Sequence, residues 1–350
     1  MQTKLQQYFP MIRTKDEILS DIHQKPKLKD IFSGWTLEQQ TDFLNFCSGA
    51  KGVKVLYDSF FKEIMNPYAI PERLESLLSL ILEQEVHILK LLPNESVNVT
   101  DNRPLLIMDI VVELTDGSIA NVEVQKNGYA FPGQRCACYS ADLLLRQYKR
   151  VKQEAKERNT RFSYRDIKKV FTIVFYEKST KEFHAYPNTY IHRSKQRSDT
   201  GLDINFLQEY ILIPLDIFKN CHHNRNIFDK LEAWLTFLST DDPENIISLI
   251  KAYPEFKPLY EDIYRLCLDM ERVMGMYSED LLEFDLGTID YMIDEMQNTI
   301  DAQKEQLNIQ QQQLSQKDTE LDQKNTELHN KEAMIEELQA KIAELSKPQS

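Results

Sequence analysis

Three rhythms of apolar and polar positions run along the chain. The first is helical. In TLEQQTDFLNFC, Thr36 stands where an N-cap belongs, Gln39 follows at capping-box spacing, and Gly49 lies just past the expected end. Residues 1–50 therefore read as a small helical preface. In PERLESLLSLIL (71–82), Leu74, Leu77, Leu78 and Ile81 form one stripe, with Glu72 and Glu75 toward the polar side. NIFDKLEAWLTFL (226–238) turns Phe228, Leu231, Trp234, Leu235 and Leu238 inward in the same way. A longer helix is predicted from Gln134 to about Arg158. Its apolar stripe is Ala137, Ala141, Leu144, Tyr148, Val151 and Ala155; its polar stripe is Arg135, Tyr139, Asp142, Arg146, Lys149 and Gln153.

The second rhythm is that of strands. KKVFTIVFYE (168–177) and EYILIPLDIF (209–218) are short β-branched and aromatic runs that suit buried strands. Residues 105–114 and 118–125 flank Asp116-Gly117 and read as a hairpin. Alternation places Ile119, Asn121, Glu123 and Gln125 on one face, and Ala120, Val122 and Val124 on the other. A two-residue loop would pair Asp109 with Val124 and send its side chain to the opposite face. A three-residue loop, Thr115-Asp116-Gly117 with Gly117 left-handed, sets Asp109 across from Glu123. The sequence allows both; only the second gathers two carboxylates and an amide on one surface, and it is the one adopted here. The order of helix, hairpin, helix, strand, strand and helix argues an α/β domain around a mixed sheet.

The third rhythm is a heptad. Ile293, Ile300, Leu307, Leu314, Leu321, Leu328, Ile335 and Ile342 recur every seven residues. The companion row is Met296, Gln303, Gln310, Lys317, Lys324, Lys331, Leu338 and Leu345, mostly polar. One apolar row of this kind predicts a coiled coil, most simply a homodimer.

Composition narrows the setting. No stretch is long and apolar enough for a membrane span, and the opening residues carry no secretory h-region. Five cysteines with no Cys-x-x-Cys pairing suit reduced thiols in a cytoplasm; the one metal-like cluster, Cys221-His222-His223, reads as loop. The net charge is −13, but most of it lies beyond residue 270. Between Arg146 and Lys169, ten Lys/Arg face three acids, a usable phosphate-binding footprint on a nearly neutral body. A solvated helix face would look the same by charge alone.

Two carboxylates at cross-strand distance repel each other unless a cation lies between them. Oxygen ligands of this kind suit Mg²⁺ or Mn²⁺, which also accept phosphate oxygens. The pattern Asp109-x13-Glu123-x-Gln125, followed by a helix bearing Tyr139 and Arg146-Gln147-Tyr148, resembles the PD-(D/E)XK nuclease superfamily. It is most similar to the PD-(D/E)XK nuclease family transposases, related to recombination-promoting nucleases. VKVLYDSFFKEIMNP (53–67), PERLESLLSLIL, the block from Met108 to Lys152, and EYILIPLDIF carry the likeness, which covers roughly residues 50–240.

The resemblance implies a restriction-endonuclease-like α/β fold: a mixed sheet flanked by helices over 51–285, with the coiled-coil helix at 286–350. It implies a metal-dependent DNA endonuclease linked to a mobile element or recombination. Asp109 and Glu123 would hold Mg²⁺ (or Mn²⁺), with the main-chain carbonyl of Val124 a third ligand and Glu75 the helix acid. Gln125 stands where the superfamily usually has lysine, as this branch commonly does. Glutamine cannot neutralise a developing phosphorane, so Arg135, Arg146 or Lys149 is expected to supply the cation, and Tyr139 to donate to a phosphate. Arg135, Arg146, Lys149, Arg150 and Lys152 are the expected DNA contacts. The same elements also suit a catalytically silent DNA-binding or scaffold protein that oligomerises through its tail.

Overall fold

The computed structural model describes residues 2–93, 108–128, 132–221, 227 and 229–345. Its helices and strands, in chain order, are α1 (Lys4–Tyr8), α2 (Lys15–Gln24), α3 (Pro26–Gly34), α4 (Leu37–Cys47), α5 (Asp58–Ile64), α6 (Pro71–Leu82), β1 (Ile88–Leu91), β2 (Ile110–Leu114), β3 (Ile119–Asn127), α7 (Pro132–Glu157), β4 (Val170–Lys178), α8 (Lys181–His184), β5 (His192–Lys195), β6 (Gln208–Pro214), α9 (Leu215–Cys221), α10 (Lys230–Ser239), α11 (Pro243–Ala252), α12 (Lys257–Leu266) and α13 (Met270–Leu345).

The strands form one mixed sheet in the order β1-β2-β3-β4-β6-β5. β3, β4 and β6 run parallel, while β1, β2 and β5 join antiparallel at the edges. A parallel neighbour cannot be reached by a tight turn. The 26 residues of α7 make that crossover from β3 to β4 and cover one face of the sheet. The mixed sheet flanked by helices is the architecture expected of the α/β pattern.

Alternation along the strands separates two faces. Ile110, Val112, Ala120, Val122, Ile173 and Ile213 point into the large core. That core also takes Leu74, Leu77, Leu78 and Ile81 of α6, all fully buried, as their stripe predicts. Trp234, Leu235 and Leu238 of α10 join it; Leu231 packs at its margin, and Phe228 lies outside the described residues. Leu5, Phe9, Ile18 and Phe43 of the opening helices enter the same core. Thr36 and Gln39 close the capping box of α4, and Gly49 follows with φ +68°.

The stretch 209–218 is strand only as far as Pro214. Proline has no N–H to continue the ladder, and Leu215 opens α9, where Asp216 accepts from the Ser179 N–H and hydroxyl.

The chain divides into two compact units, Met1–Tyr291 and Met292–Ser350. Within the second, the heptad positions from Ile293 to Ile335 lie on one helix and remain 44–61% exposed. The side chains of Ile342 and Leu345 lie outside those described. Among the described residues, no helix is long and apolar enough to cross a membrane.

Candidate active site

The hairpin loop decides where the acids stand. β2 and β3 pair Ile110 with Val122 and Glu113 with Ile119. Leu114 N–H then donates to Ser118 O (2.8 Å), and Gly117 N–H to Leu114 O (2.9 Å). The loop is therefore the three-residue form, with Gly117 at φ +85°. Asp116 braces it by accepting from both the N–H and the hydroxyl of Ser118. Carried one residue further, this register sets Asp109 across from Glu123. The two exchange strands: Asp109 N–H donates to Glu123 Oε1 (3.3 Å), and Val124 N–H to Asp109 Oδ2 (2.7 Å). In a strand, the N–H and C=O of one residue leave on the same side, so the Val124 carbonyl also faces the edge where Asp109 stands.

Two residues that the sequence reading passed over complete the cluster. α5 brings Asp58 and Lys62 to this edge. Lys62 Nζ lies 3.2 Å from Asp109 Oδ1 and 2.6 Å from Asp58 Oδ2. The expected helix acid, Glu75, is not beside the pair. Its Oε1 accepts from Ile88 N–H at the head of β1 (2.7 Å), and His87 lies against its other oxygen. The acid that bears on Asp109 and Glu123 is Asp58. The residues were legible in part: Asp58 and Lys62 are an i,i+4 pair within VKVLYDSFFKEIMNP, a spacing that on its own reads as a surface ion pair.

Burial sets the electrostatics. It pushes the Asp109 carboxyl well above its ordinary range; Glu123 and Asp58 push it further, against the pull of Lys62. Glu123 is raised by burial to about 7, while the Asn121 amide, the Asp109 N–H and Lys62 favour its anion. Burial works against the Lys62 ammonium, but Asp109 and Asp58 outweigh it and hold the pKa above the usual value. Three carboxylates and one ammonium thus share a nearly dry corner.

Around Glu123 the sheet face beneath α7 is polar. Asn121, Gln125, Thr172 and Tyr176 are buried there, and Asn121 Oδ1, Gln125 Oε1 and Thr172 Oγ1 have no hydrogen-bond partner. Unspent buried polar atoms cost about 1–3 kcal/mol each, which points to a surface built for binding. The structure also corrects the expected face of α7. Its buried residues are Cys136, Tyr139, Ser140, Leu143, Gln147 and Ala155, so the helix is rotated away from the Ala137–Tyr148 stripe. Polar partners at the starts of β3, β4 and β6 hold two of its polar side chains inward. Ser140 accepts from Gln208, and Gln147 bridges Gly117 O and Lys168 N–H.

Tyr139, placed on the polar stripe from sequence, is consequently buried. It accepts from Arg135 (3.0 Å), and burial, then Glu123, raises its pKa to about 12. Gln125 shares the face of Glu123, whereas Lys126 points to the other side and donates to Asp280 O (3.0 Å).

The expected phosphate contacts divide into two groups. Arg150 grips Glu113 with both terminal nitrogens (2.5 and 3.0 Å). Arg146 pairs with Asp142 and donates to Pro93 O. These two arginines brace α7 against the sheet, while Lys149 and Lys152 stand exposed.

The donor set is all oxygen, and buried Asp58 Oδ1 has no partner, so the residues fit a hard divalent cation in kind. They are not gathered on one. Among the described residues, no three His, Cys, Asp or Glu side chains stand in ligand geometry; Asp109 and Glu123 each turn an oxygen to main-chain N–H, and Lys62 lies on Asp109. A model of the PD-(D/E)XK nuclease family transposases matches residues 56–286, about two thirds of the chain. The chain belongs to this family.

No curated protein and no solved structure matches the chain. The family span takes in every residue of the cluster, from Asp58 and Lys62 to Asp109, Glu123 and Gln125. Among the described residues, the ammonium within salt-bridge distance of Asp109 in this PD-(D/E)XK nuclease family member comes from α5.

Proposed function

We propose that the protein is a divalent-cation-dependent DNA endonuclease serving a mobile element or recombination. The observation that carries this reading is the facing pair Asp109 and Glu123, with Glu123 accepting from the Asp109 N–H and Asp109 from the Val124 N–H, joined by Asp58 and Lys62. Asp109, Glu123 and the Val124 carbonyl would hold Mg²⁺ (or Mn²⁺), with Asp58 in the place expected of Glu75. When bound, the ion would polarise the scissile phosphodiester and acidify nearby water.

The protein's own groups do the rest. Burial favours the protonated forms of Asp109 and Glu123, so a cation should compete with protons for the site. Lys62, released from Asp109, is placed to meet negative charge growing on the phosphate, the work that Gln125 cannot do. The Gln125 amide orients the phosphate or the attacking water, and Tyr139 with Arg135 can donate to a phosphate oxygen. Lys149 and Lys152, with Arg161, Arg165 and Lys168, track the backbone. The exposed heptad row supports a dimer, and the free cysteines suit a cytoplasmic setting.

The test is nicking of supercoiled plasmid with Mg²⁺ or Mn²⁺. Wild-type protein should cut. Asp109→Asn and Glu123→Gln should lose at least a hundredfold in rate while remaining folded by circular dichroism. Equal cutting by both variants would sink the reading.

A further inference from the structure

Between the middle of α7 and the β2–β3 loop lies a cavity of about 790 Å³ that the cleavage chemistry does not use. Its walls are apolar and aromatic: Leu144, Leu145, Tyr148, Tyr164, Ile167 and Leu207. Tyr148 and Tyr164 lie nearly parallel (14°, centroids 6.2 Å apart), and Phe162 braces both edge-on at 5.5 and 5.1 Å. These rings are not a covered core. Tyr164 is 75% exposed and Leu145 60%. Exposing large apolar groups side by side is costly unless something docks on them.

The charge around the cavity says what docks. Lys152 Nζ stands over the Tyr148 ring (5.4 Å) and donates to its hydroxyl (3.3 Å). Arg165 and Lys168 are exposed on the cavity wall, and Arg161 is exposed one residue before Phe162. Among the described residues, Asp116 is the one acid lining the cavity, turned to the Ser118 N–H and hydroxyl, against the cations Arg165, Lys168 and Lys169, the last of which is paired with Glu209. A flat aromatic floor with a cationic rim meets the two faces of a nucleotide, its base and its phosphate. Bases inside a duplex already cover each other's faces, so the floor favours unpaired ones.

We propose that this cavity binds unpaired nucleotides of the nucleic-acid strand, with a base stacked on Tyr164 and its flanking phosphates on Arg165, Lys168 and Lys152. The proposal rests on the nuclease reading and names what its substrate must contain. Ser118 borders the cavity, and Glu123 is five residues further along β3, roughly 17 Å at strand rise. That span corresponds to about five stacked nucleotides. A substrate with a single-stranded segment, a flap or a gap a few nucleotides from the scissile bond would engage both sites.

Fluorescence anisotropy on the full chain tests this, with labelled single-stranded 20-mers and the matching duplex as probes, in EDTA to prevent cutting. Wild-type protein should bind the single strand more tightly than the duplex. Tyr164→Ala should weaken single-strand binding roughly tenfold, the loss expected from one stacked base, and duplex binding less than twofold. Tyr164→Phe keeps the ring and should keep the affinity.

Unchanged single-strand binding in Tyr164→Ala overturns the proposal, as does an equal loss for both probes. A fall in molecular mass of Tyr164→Ala by light scattering would make the cavity a contact between copies, and overturns it too. The plasmid-nicking result stands apart from these outcomes. A protein that nicks yet ignores Tyr164 keeps the nuclease reading and loses this one. A protein that neither nicks nor binds either probe loses both.

Discussion

Lys62→Met removes the only ammonium within salt-bridge distance of Asp109 among the described residues, and its consequence can be sized. Nζ lies 3.2 Å from Asp109 Oδ1. Two unit charges at that separation interact by about 5 kcal/mol at an effective dielectric of ~20. A third of the Lys62 side chain is open to water, so the usable part is smaller. A lysine that instead faces a phosphate in flight should contribute on the order of 3 kcal/mol, as a single preorganised donor does, or about a hundredfold in rate. Single-turnover plasmid nicking under saturating Mg²⁺ should show that loss in Lys62→Met, and a much smaller one in Lys62→Arg. The limb of the pH–rate profile set by the carboxyls should also move to higher pH in Lys62→Met, because Lys62 lowers the pKa of both Asp109 and Glu123. Gln125 shares the buried face of Glu123 and has an unpartnered Oε1. Placing the charge there, as Gln125→Lys in the Lys62→Met background, should recover at least tenfold. A Lys62→Met protein that is folded and cuts within threefold of wild type refutes the assignment of Lys62 as the missing cation.

Three further expectations follow from the same geometry. The Glu123 carboxyl rises from 4.5 to about 7 on folding, so it binds its proton more tightly in the folded state; at ~1.4 kcal/mol per unit, about 3 kcal/mol of stability is present below pH 4.5 and is lost as the pH rises to 7. Urea melts in EDTA at pH 4.5 and 7.5 should show this for wild type and a shallower dependence for Glu123→Gln; parallel slopes would contradict it. DNA binding should weaken with salt at about 0.9 log unit per log unit for each neutralised phosphate, and Lys149→Glu with Lys152→Glu should flatten that slope. Arg150→Glu should instead lower the melting temperature, because it sets a like charge against buried Glu113; a salt slope that responds only to Arg150 would reverse this division of labour. Leu314→Asp with Leu321→Asp places charge in two neighbouring heptad layers, and light scattering should read a monomer where wild type reads a dimer. The same monomer mass for both proteins would end the coiled-coil reading.

What could be settled locally was settled by the sequence. Thr36 and Gln39 cap α4 because a capping box closes within four residues. The Asp116-Gly117 pair marks the turn, because glycine enters the left-handed region without strain, but it allows two loop lengths; the pairing of β2 with β3 selected the three-residue form and so set Asp109 across from Glu123. The stripe of α6 and the heptad of α13 are likewise periodicities that need no distant partner to be read. Tertiary structure decided what depends on the neighbour. Asp58, not Glu75, reaches the carboxylates because α5 carries Asp58 and Lys62 to Asp109, while α6 spends Glu75 on the head of β1. The buried face of α7 escaped a hydrophobic count because Gln208, the Gly117 carbonyl and the Lys168 N–H hold Ser140 and Gln147 inward in place of Ala137 and Ala141. Lys149, Arg150 and Lys152 look equivalent in sequence, yet a buried Glu113 claims the middle one. Charge and apolarity can be counted along a chain, but which charge is already spent depends on contacts between residues far apart in sequence, and those form only when the sheet closes.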